Sequence, residues 1–230
     1  MPDRSVPFLR VWRVDLADPA WDVERESRLL APAERARADL GVPAVRTRRV
    51  LVRSALRRVL GGVLDLPAGR VPLESVDGRP VVAGAADLHV SCSASGDVGL
   101  VAVSAGVPVG VDVQRHDPGE ACRAFAEDWL STEERTALAA LPAGERLVAV
   151  TRCWTQKEAV LKGIGVGLRR PPGSVDTPVR ASGRVGDWVL APVAVPRGCV
   201  ASVAVRTARS PAGVPTGLLH PPSSAADDVR

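Results

Sequence analysis

Lys157 and Lys162 are the only two lysines in this 230-residue chain, which otherwise uses arginine for its fixed positive charge. They bracket Glu158 in the stretch TRCWTQKEAVLKGIGVGL, residues 151–168. An ammonium is a compact point charge and a guanidinium a planar fork, so lysine kept here and nowhere else points to a task arginine does not do. On a helix, Trp154, Glu158 and Lys162 fall at i, i+4 and i+8 along one stripe, with Lys157 beside it. A Glu–Lys pair at that spacing is ordinarily a solvated ion pair worth about 0.2–0.5 kcal/mol. This one sits in an apolar stretch that runs into Gly163, Gly165 and Gly167. Gly163 fits a left-handed cap, and the glycine run fits a tight loop where backbone can approach a ligand.

A second carboxylate is set in GVPVGVDVQ, residues 106–114. In a strand, Val109, Val111 and Val113 point to one face and Gly110, Asp112 and Gln114 to the other. A carboxylate in so apolar a strand is costly unless a charge or a metal offsets it, and Gly110 beside it would leave room for a ligand. A partly exposed edge position is the plain alternative. Asp112 and Glu158 are hard oxygen donors suited to Mg²⁺, which takes one or two carboxylates plus substrate phosphates. Lys157 and Lys162 can neutralise phosphate as point charges. Arg46, Arg49 and Arg53, three and four residues apart, share a helix face that could hold a further phosphate. Together these are the parts of a magnesium-dependent reaction on a diphosphate. The glycine run follows a helix rather than a strand, which excludes a dinucleotide-binding fingerprint, and no G-K-[ST] Walker sequence occurs.

The elements that must position these residues can be read from periodicity and turn chemistry. Alternation over 6–15 predicts a first strand, and 22–31, 33–40 and 44–64 predict helices, the last carrying the three arginines. Residues 71–76 lead into a turn at Asp77-Gly78-Arg79-Pro80. Residues 88–93 and 98–104 predict a hairpin with a four-residue loop, and 109–114 a further strand. Helices follow at 121–130, at 132–140 behind the capping box Ser131-Thr132-Glu133-Glu134, and at 145–163. Residues 185–192 and 199–206 predict a second hairpin, and 208–230 a disordered tail. The order of elements is similar in both halves, so the expectation is an α+β protein of two similar lobes in pseudo-twofold arrangement, 1–105 and 106–207.

The residues also resemble a known family, the 4′-phosphopantetheinyl transferases, and within it the Sfp-like monomeric class. Its G-[IV]-D-[IV]-E strand corresponds to Gly110-Val111-Asp112-Val113-Gln114. Its W-x-x-K-E-A-x-x-K-x-x-G-x-G-L segment is matched at Trp154, Lys157, Glu158, Ala159, Lys162, Gly165, Gly167 and Leu168. Gly78-Arg79-Pro80 resembles the family's turn beside the adenine, and the segment from Ser91 to Gly96 resembles its phosphate-contacting N-x-S-H-S. The arginine-bearing helix resembles the family's R-x-x-x-R region. The resemblance implies transfer of phosphopantetheine from coenzyme A to a serine of an apo acyl or peptidyl carrier protein, with release of adenosine 3′,5′-bisphosphate. It implies Mg²⁺ on Asp112, Glu158 and Gln114. It implies coenzyme A contacts from Arg46, Arg49, Arg53, Arg79, Pro80, Ser93, Ser95, Lys157 and Lys162, and a catalytic group of Glu158, Lys162 and Asp112, with Glu158 accepting the serine proton. Trp154 braces the helix. Two departures stand out. Gln114 replaces a second acid, which lowers the charge available to a metal, and Ala94 replaces a histidine.

Composition sets the outer bounds. Net charge is +4, and the arginine-rich stretch from Arg35 to Arg58 contains a single acid, Asp39. That stretch would suit a polyanion, but no aromatic-interleaved basic run or zinc knuckle accompanies it, so no nucleic-acid partner is expected. The four scattered cysteines form no C-x-x-C, and no long apolar run or apolar leader occurs, so the expectation is a cytoplasmic protein with no membrane contact; two half-motif sets on one chain favour a monomer. A non-catalytic relative that binds coenzyme A or a carrier protein is the rival reading, since Gln114 and Ala94 both weaken the site.

Overall fold

The computed structural model describes residues 8–117, 119, 129–165, 170–206 and 215–222. In chain order come β1 (Leu9–Asp15), α1 (Val23–Arg28), α2 (Pro32–Ala38), α3 (Pro43–Leu64), β2 (Leu73–Val76), β3 (Arg79–Val82), β4 (Leu88–Ser95), β5 (Val98–Ala105) and β6 (Val109–Arg115). They are followed by α4 (Thr132–Ala139), α5 (Ala143–Ile164), β7 (Gly183–Val185), β8 (Trp188–Pro192), β9 (Cys199–Arg206) and β10 (Thr216–Leu219). One sheet runs β10-β1-β5-β4, a second runs β6-β9-β8-β7, and β2-β3 form a separate hairpin. The fold is α+β. Each four-stranded sheet has one 22-residue helix beside it, α3 or α5, and the first sheet takes its edge strand β10 from the far end of the described residues.

Three apolar clusters stack these elements in layers. Leu51, Ala55 and Leu56 of α3 pack on Val14, Val101 and Val103 of the first sheet. Val11, Leu100 and Ala102 on that sheet's other face meet Val109, Val111, Val113 and Val203 of the second. Ala159, Val160 and Leu161 of α5 close the far side against Trp188, Leu190 and Ala204. Strands buried on both faces read as near-continuous apolar runs, which is why β5 is VGLVAVSA with no charge.

The last of these contacts, between α5 and the second sheet, is unusually close. A β-carbon at Gly110 would overlap the carbonyl oxygen of Ala159 and lie 2.6 Å from the Gly163 amide nitrogen, and one at Gly163 would overlap the Trp188 ring. The two glycines therefore let the backbones of β6 and α5 touch. Gly110 makes room for a helix, not for a ligand. The left-handed cap of α5 is Gly165 (φ 86°), with Gly163 buried inside the helix.

Several other expectations shift. The turn after β2 is the two residues Asp77-Gly78, both at positive φ as a type I′ hairpin requires, so Arg79 and Pro80 lie in a strand. Ser95 pairs with Val98, so the β4–β5 loop is Gly96-Asp97 rather than four residues. The capping box is present as expected, with Ser131 Oγ accepting from the Glu134 amide and Glu134 Oε2 accepting from the Ser131 amide. The region expected to be a tail contains β10, which pairs in parallel with β1 from Val11↔Thr216 to Val14↔Leu219. Two strong backbone edges meeting there outweigh the low-complexity flanks that argued for disorder. Most of the helix expected at 121–130, and Val166 to Leu168 of the glycine loop, lie outside the described residues. Among those described, no helix is long and apolar enough to cross a membrane.

Candidate active site

The edge strands β4 and β6 lie side by side, and serines rather than a backbone ladder stitch them together. Ser91 Oγ accepts from the Val111 amide at 3.1 Å, Ser93 Oγ donates to Asp112 Oδ1 at 2.6 Å, and Ser95 Oγ accepts from the Arg115 amide at 3.1 Å. Alternate residues of a strand share a face, so the spacing S-x-S-x-S presents all three hydroxyls to β6. Ser95 Oγ also donates to Gln114 Oε1 at 3.3 Å, and Gln114 Nε2 reaches Asp112 Oδ2 at 3.5 Å. The expected role of Ser93 and Ser95 toward phosphate is thus joined by a structural one.

Asp112 is 1% exposed, and its charge is met from α5. Lys162 Nζ donates to Asp112 Oδ1 at 2.6 Å and to Ser93 Oγ at 3.0 Å. Burial alone would push the Lys162 ammonium down. The Asp112 carboxylate, by charge and by hydrogen bond, overrides this and holds it above the ordinary lysine range, with Glu158 helping. Glu158 lies one turn before Lys162 on the same stripe, as the spacing predicts. Burial pushes its pKa up; Lys162 opposes that shift and Asp112 reinforces it. Glu158 Oε1 is buried and has no hydrogen-bond partner among the described residues. A buried carboxylate oxygen left without a donor is costly, so it marks a place where a cation or a proton donor belongs. Trp154, on the same stripe, packs its ring 4.4 Å from that of Trp129, which fits a bracing role.

Lys157 does not join this group. Five residues from Lys162, it projects about 140° around the helix. Its Nζ pairs with Glu134 Oε2 at 2.7 Å, donates to Pro172 O at 3.1 Å, and donates to Val175 O. Lys157 and Glu134 are each 1% exposed. An ammonium has three N–H donors, and these three acceptors use them all. Sequence reasoning missed Glu134 because the capping box already accounted for it, and nothing local in the chain couples it to Lys157.

The arginines of α3 are also largely engaged within the fold. Arg46 pairs with Glu24 at 3.0 Å and Asp39 at 2.8 Å. Arg49 donates to the carbonyls of Arg37 and Leu40, and Arg53 pairs with Glu34 at 3.5 Å. These contacts hold α1 and α2 against α3. Arg49 and Arg53 nonetheless line a cavity of about 1290 Å³ together with Ser93, Ser95 and Gln114, whereas Arg46 does not. Arg37 and Arg48 line it too and were not singled out by sequence. A second cavity, of about 660 Å³, is lined by Arg79, Pro80, Lys162, Arg170 and Ser174. The arginine of the expected adenine turn therefore opens onto the same space as Lys162.

The residues present fit a divalent cation in kind. Asp112 and Glu158 offer carboxylate oxygen and Gln114 an amide oxygen, with one carboxylate oxygen unpartnered. Among the described residues no cluster of three or more Asp, Glu, His or Cys is close enough to form a closed cage. Such a site needs oxygens from a substrate to complete it, as Mg²⁺ sites on phosphates do.

Comparison with known proteins places this geometry. A family model described as the 4′-phosphopantetheinyl transferase superfamily matches residues 108–185, which contain β6, α5, Asp112, Glu158 and Lys162. The 4′-phosphopantetheinyl transferase HetI of Nostoc sp. (strain PCC 7120) is 28% identical over 167 residues, covering 70% of this chain and 70% of the relative. The match runs through the strand and helix that bring the two acids and the lysine together, so it is in this part that the chain is similar to the 4′-phosphopantetheinyl transferase superfamily.

Proposed function

We propose that this protein transfers 4′-phosphopantetheine from coenzyme A to a serine of an apo acyl or peptidyl carrier protein, releasing adenosine 3′,5′-bisphosphate. The observation that carries the reading is the group Ser93–Asp112–Lys162 beside the unpartnered Glu158 Oε1. The carrier serine oxygen forms a bond to the phosphorus that bears pantetheine. The bond from that phosphorus to the bridging oxygen breaks, and the bisphosphate departs with the electron pair. Glu158 takes the serine proton; burial raises its affinity for one, which suits a general base. Lys162 faces the charge that develops on the leaving oxygen. Asp112, Glu158 and Gln114 would hold Mg²⁺, which when bound neutralises diphosphate charge. The basic cavity beside Ser93 and Ser95, lined by Arg49 and Arg53, suits the 3′-phosphate. The space under Arg79 and Pro80 suits the adenine.

Both halves of the site come from one chain, which supports a monomeric enzyme of the Sfp-like class. The test is direct. The protein is incubated with coenzyme A, Mg²⁺ and a panel of apo carriers, and each carrier is weighed. A phosphopantetheine mass gain that disappears in Glu158→Ala is expected; no gain on any carrier, with no coenzyme A binding, sinks the reading. Binding without turnover would instead identify a non-catalytic relative.

A further inference from the structure

The segment from Pro172 to Arg180 forms part of the wall of the smaller cavity, and it contains no long element of its own to fix its shape. Ser174 and Val175 line that cavity next to Lys162. Ser174 in turn holds Arg170, accepting from its Nε at Oγ (3.0 Å) and from its NH2 at the backbone carbonyl (3.4 Å). Val179 carries a positive φ of 51°, a strained conformation for a β-branched residue, which persists only where the surroundings impose it.

A buried ionic node holds the segment just before it. Lys157 Nζ holds the carbonyls of Pro172 and Val175 as well as Glu134. Glu134 Oε1 accepts from the Thr177 amide at 2.7 Å and from Thr177 Oγ1 at 2.5 Å, while Oε2 accepts from Lys157 and the Ser131 amide. Both carboxylate oxygens thus have two donors, and the ammonium has three acceptors. From the neighbouring position on α5, Gln156 Nε2 donates to Arg180 O at 2.7 Å. A buried pair of this kind contributes less to net stability than to fixing one arrangement of what it touches.

We infer that Lys157 and Glu134 are positioning residues for the transfer reaction: together they pin the Pro172–Thr177 wall, and through Ser174 they aim Arg170 into the cavity beside Lys162. The inference rests on the proposed function for its kinetic consequence, though not for the pinning itself. It also explains the choice of lysine at 157. Three acceptors converge on one buried point, which suits a compact ammonium and leaves no room for a planar guanidinium.

The experiment compares Lys157→Met, Lys157→Arg, Glu134→Gln and Thr177→Val with the wild-type protein. Amide hydrogen exchange is followed at Ser174, Val175 and Thr177, and steady-state kinetics are measured with coenzyme A and an apo carrier. Exchange at these three amides is expected to accelerate by about tenfold or more while β6 stays protected. The KM for coenzyme A is expected to rise by about tenfold with kcat changed less than about threefold. Lys157→Arg should behave like Lys157→Met. Loss of kcat in Lys157→Met with unchanged exchange would mean that Lys157 meets the substrate directly and would overturn the inference. Faster exchange with an unchanged KM would overturn it as well, reducing the node to a structural role. Should Lys157→Met fail to fold, Thr177→Val removes a single hydroxyl donor and gives both readouts in smaller measure. A wild-type protein that neither binds nor uses coenzyme A would overturn the functional reading, and the exchange result alone would then decide the pinning.

Discussion

Lys162 Nζ and Asp112 Oδ1 stand 2.6 Å apart, one from α5 and one from β6, with Ser93 Oγ in contact with both. Asp112 is enclosed by apolar strands, so its charge depends on this partner. Lys162→Met should cost about 3 kcal/mol of unfolding free energy, because it leaves a buried carboxylate without its cation. Ser93→Ala, which removes one neutral donor, should cost about 1–2 kcal/mol. Urea unfolding of both variants checks the ranking; equal losses would contradict the dependence of Asp112 on Lys162.

Glu158 sets function against stability. Its pKa in the folded chain is raised by burial above the ordinary carboxylate value. The folded state therefore holds that proton more tightly than the unfolded state does. The resulting stability is fully present below the unfolded pKa and is lost as pH rises through the folded one. At pH 7.5, in buffer containing a chelator, Glu158→Gln should raise the melting temperature. At pH 4 the difference from wild type should shrink. The same substitution should lower transfer by about 10²-fold or more, the scale of a lost general base. A melting temperature unchanged at both pH values would argue against a desolvated carboxylate.

The contact between Gly110 and Gly163 sets the distance across the site. Gly163→Ala drives a methyl group into the Trp188 ring and toward the Gly110 backbone, so strand and helix must part. Overpacking of this kind costs about 1–3 kcal/mol. A displacement of about 1 Å between Asp112 and Glu158 is expected to lower kcat by about 10²-fold even in the folded fraction. Thermal melts and kinetics on the purified folded variant separate the two effects.

Gln114 lowers the negative charge where the family pattern places a second acid. Gln114→Glu should lower the Mg²⁺ concentration needed for half-maximal transfer by about tenfold, in line with the affinity that one added ligand charge supplies. A metal titration of activity, paired with calorimetry of Mg²⁺ binding, checks this. Activity that appears only in the glutamate variant would indicate that the natural chain is a binding relative.

Much of this arrangement was legible in the chain, for reasons that differ by element. Alternation placed Asp112 and Gln114 on the face opposite Val109, Val111 and Val113, and helical spacing placed Glu158 over Lys162; both relations are local. The partners of Lys157 were not legible. Glu134, Thr177 and the carbonyls of Pro172 and Val175 are brought to it by tertiary packing, and a cap already explained Glu134. Treating Gly163 as a cap failed because a glycine needed for close packing looks, in sequence, like one needed for positive φ. The arginines were legible as a helix face, but the acids that engage them, Glu24, Glu34 and Asp39, come from α1, α2 and the residue that caps α2.

The strand β10 has a consequence for how the chain is made. It covers the edge of β1 by pairing Val11 with Thr216, residues about two hundred positions apart. During synthesis the first strand emerges about two hundred residues before this neighbour, so a nascent chain carries an open strand edge throughout that interval. A ribosome stalled before residue 216 should hold a polypeptide that chaperones recognise and the released protein does not.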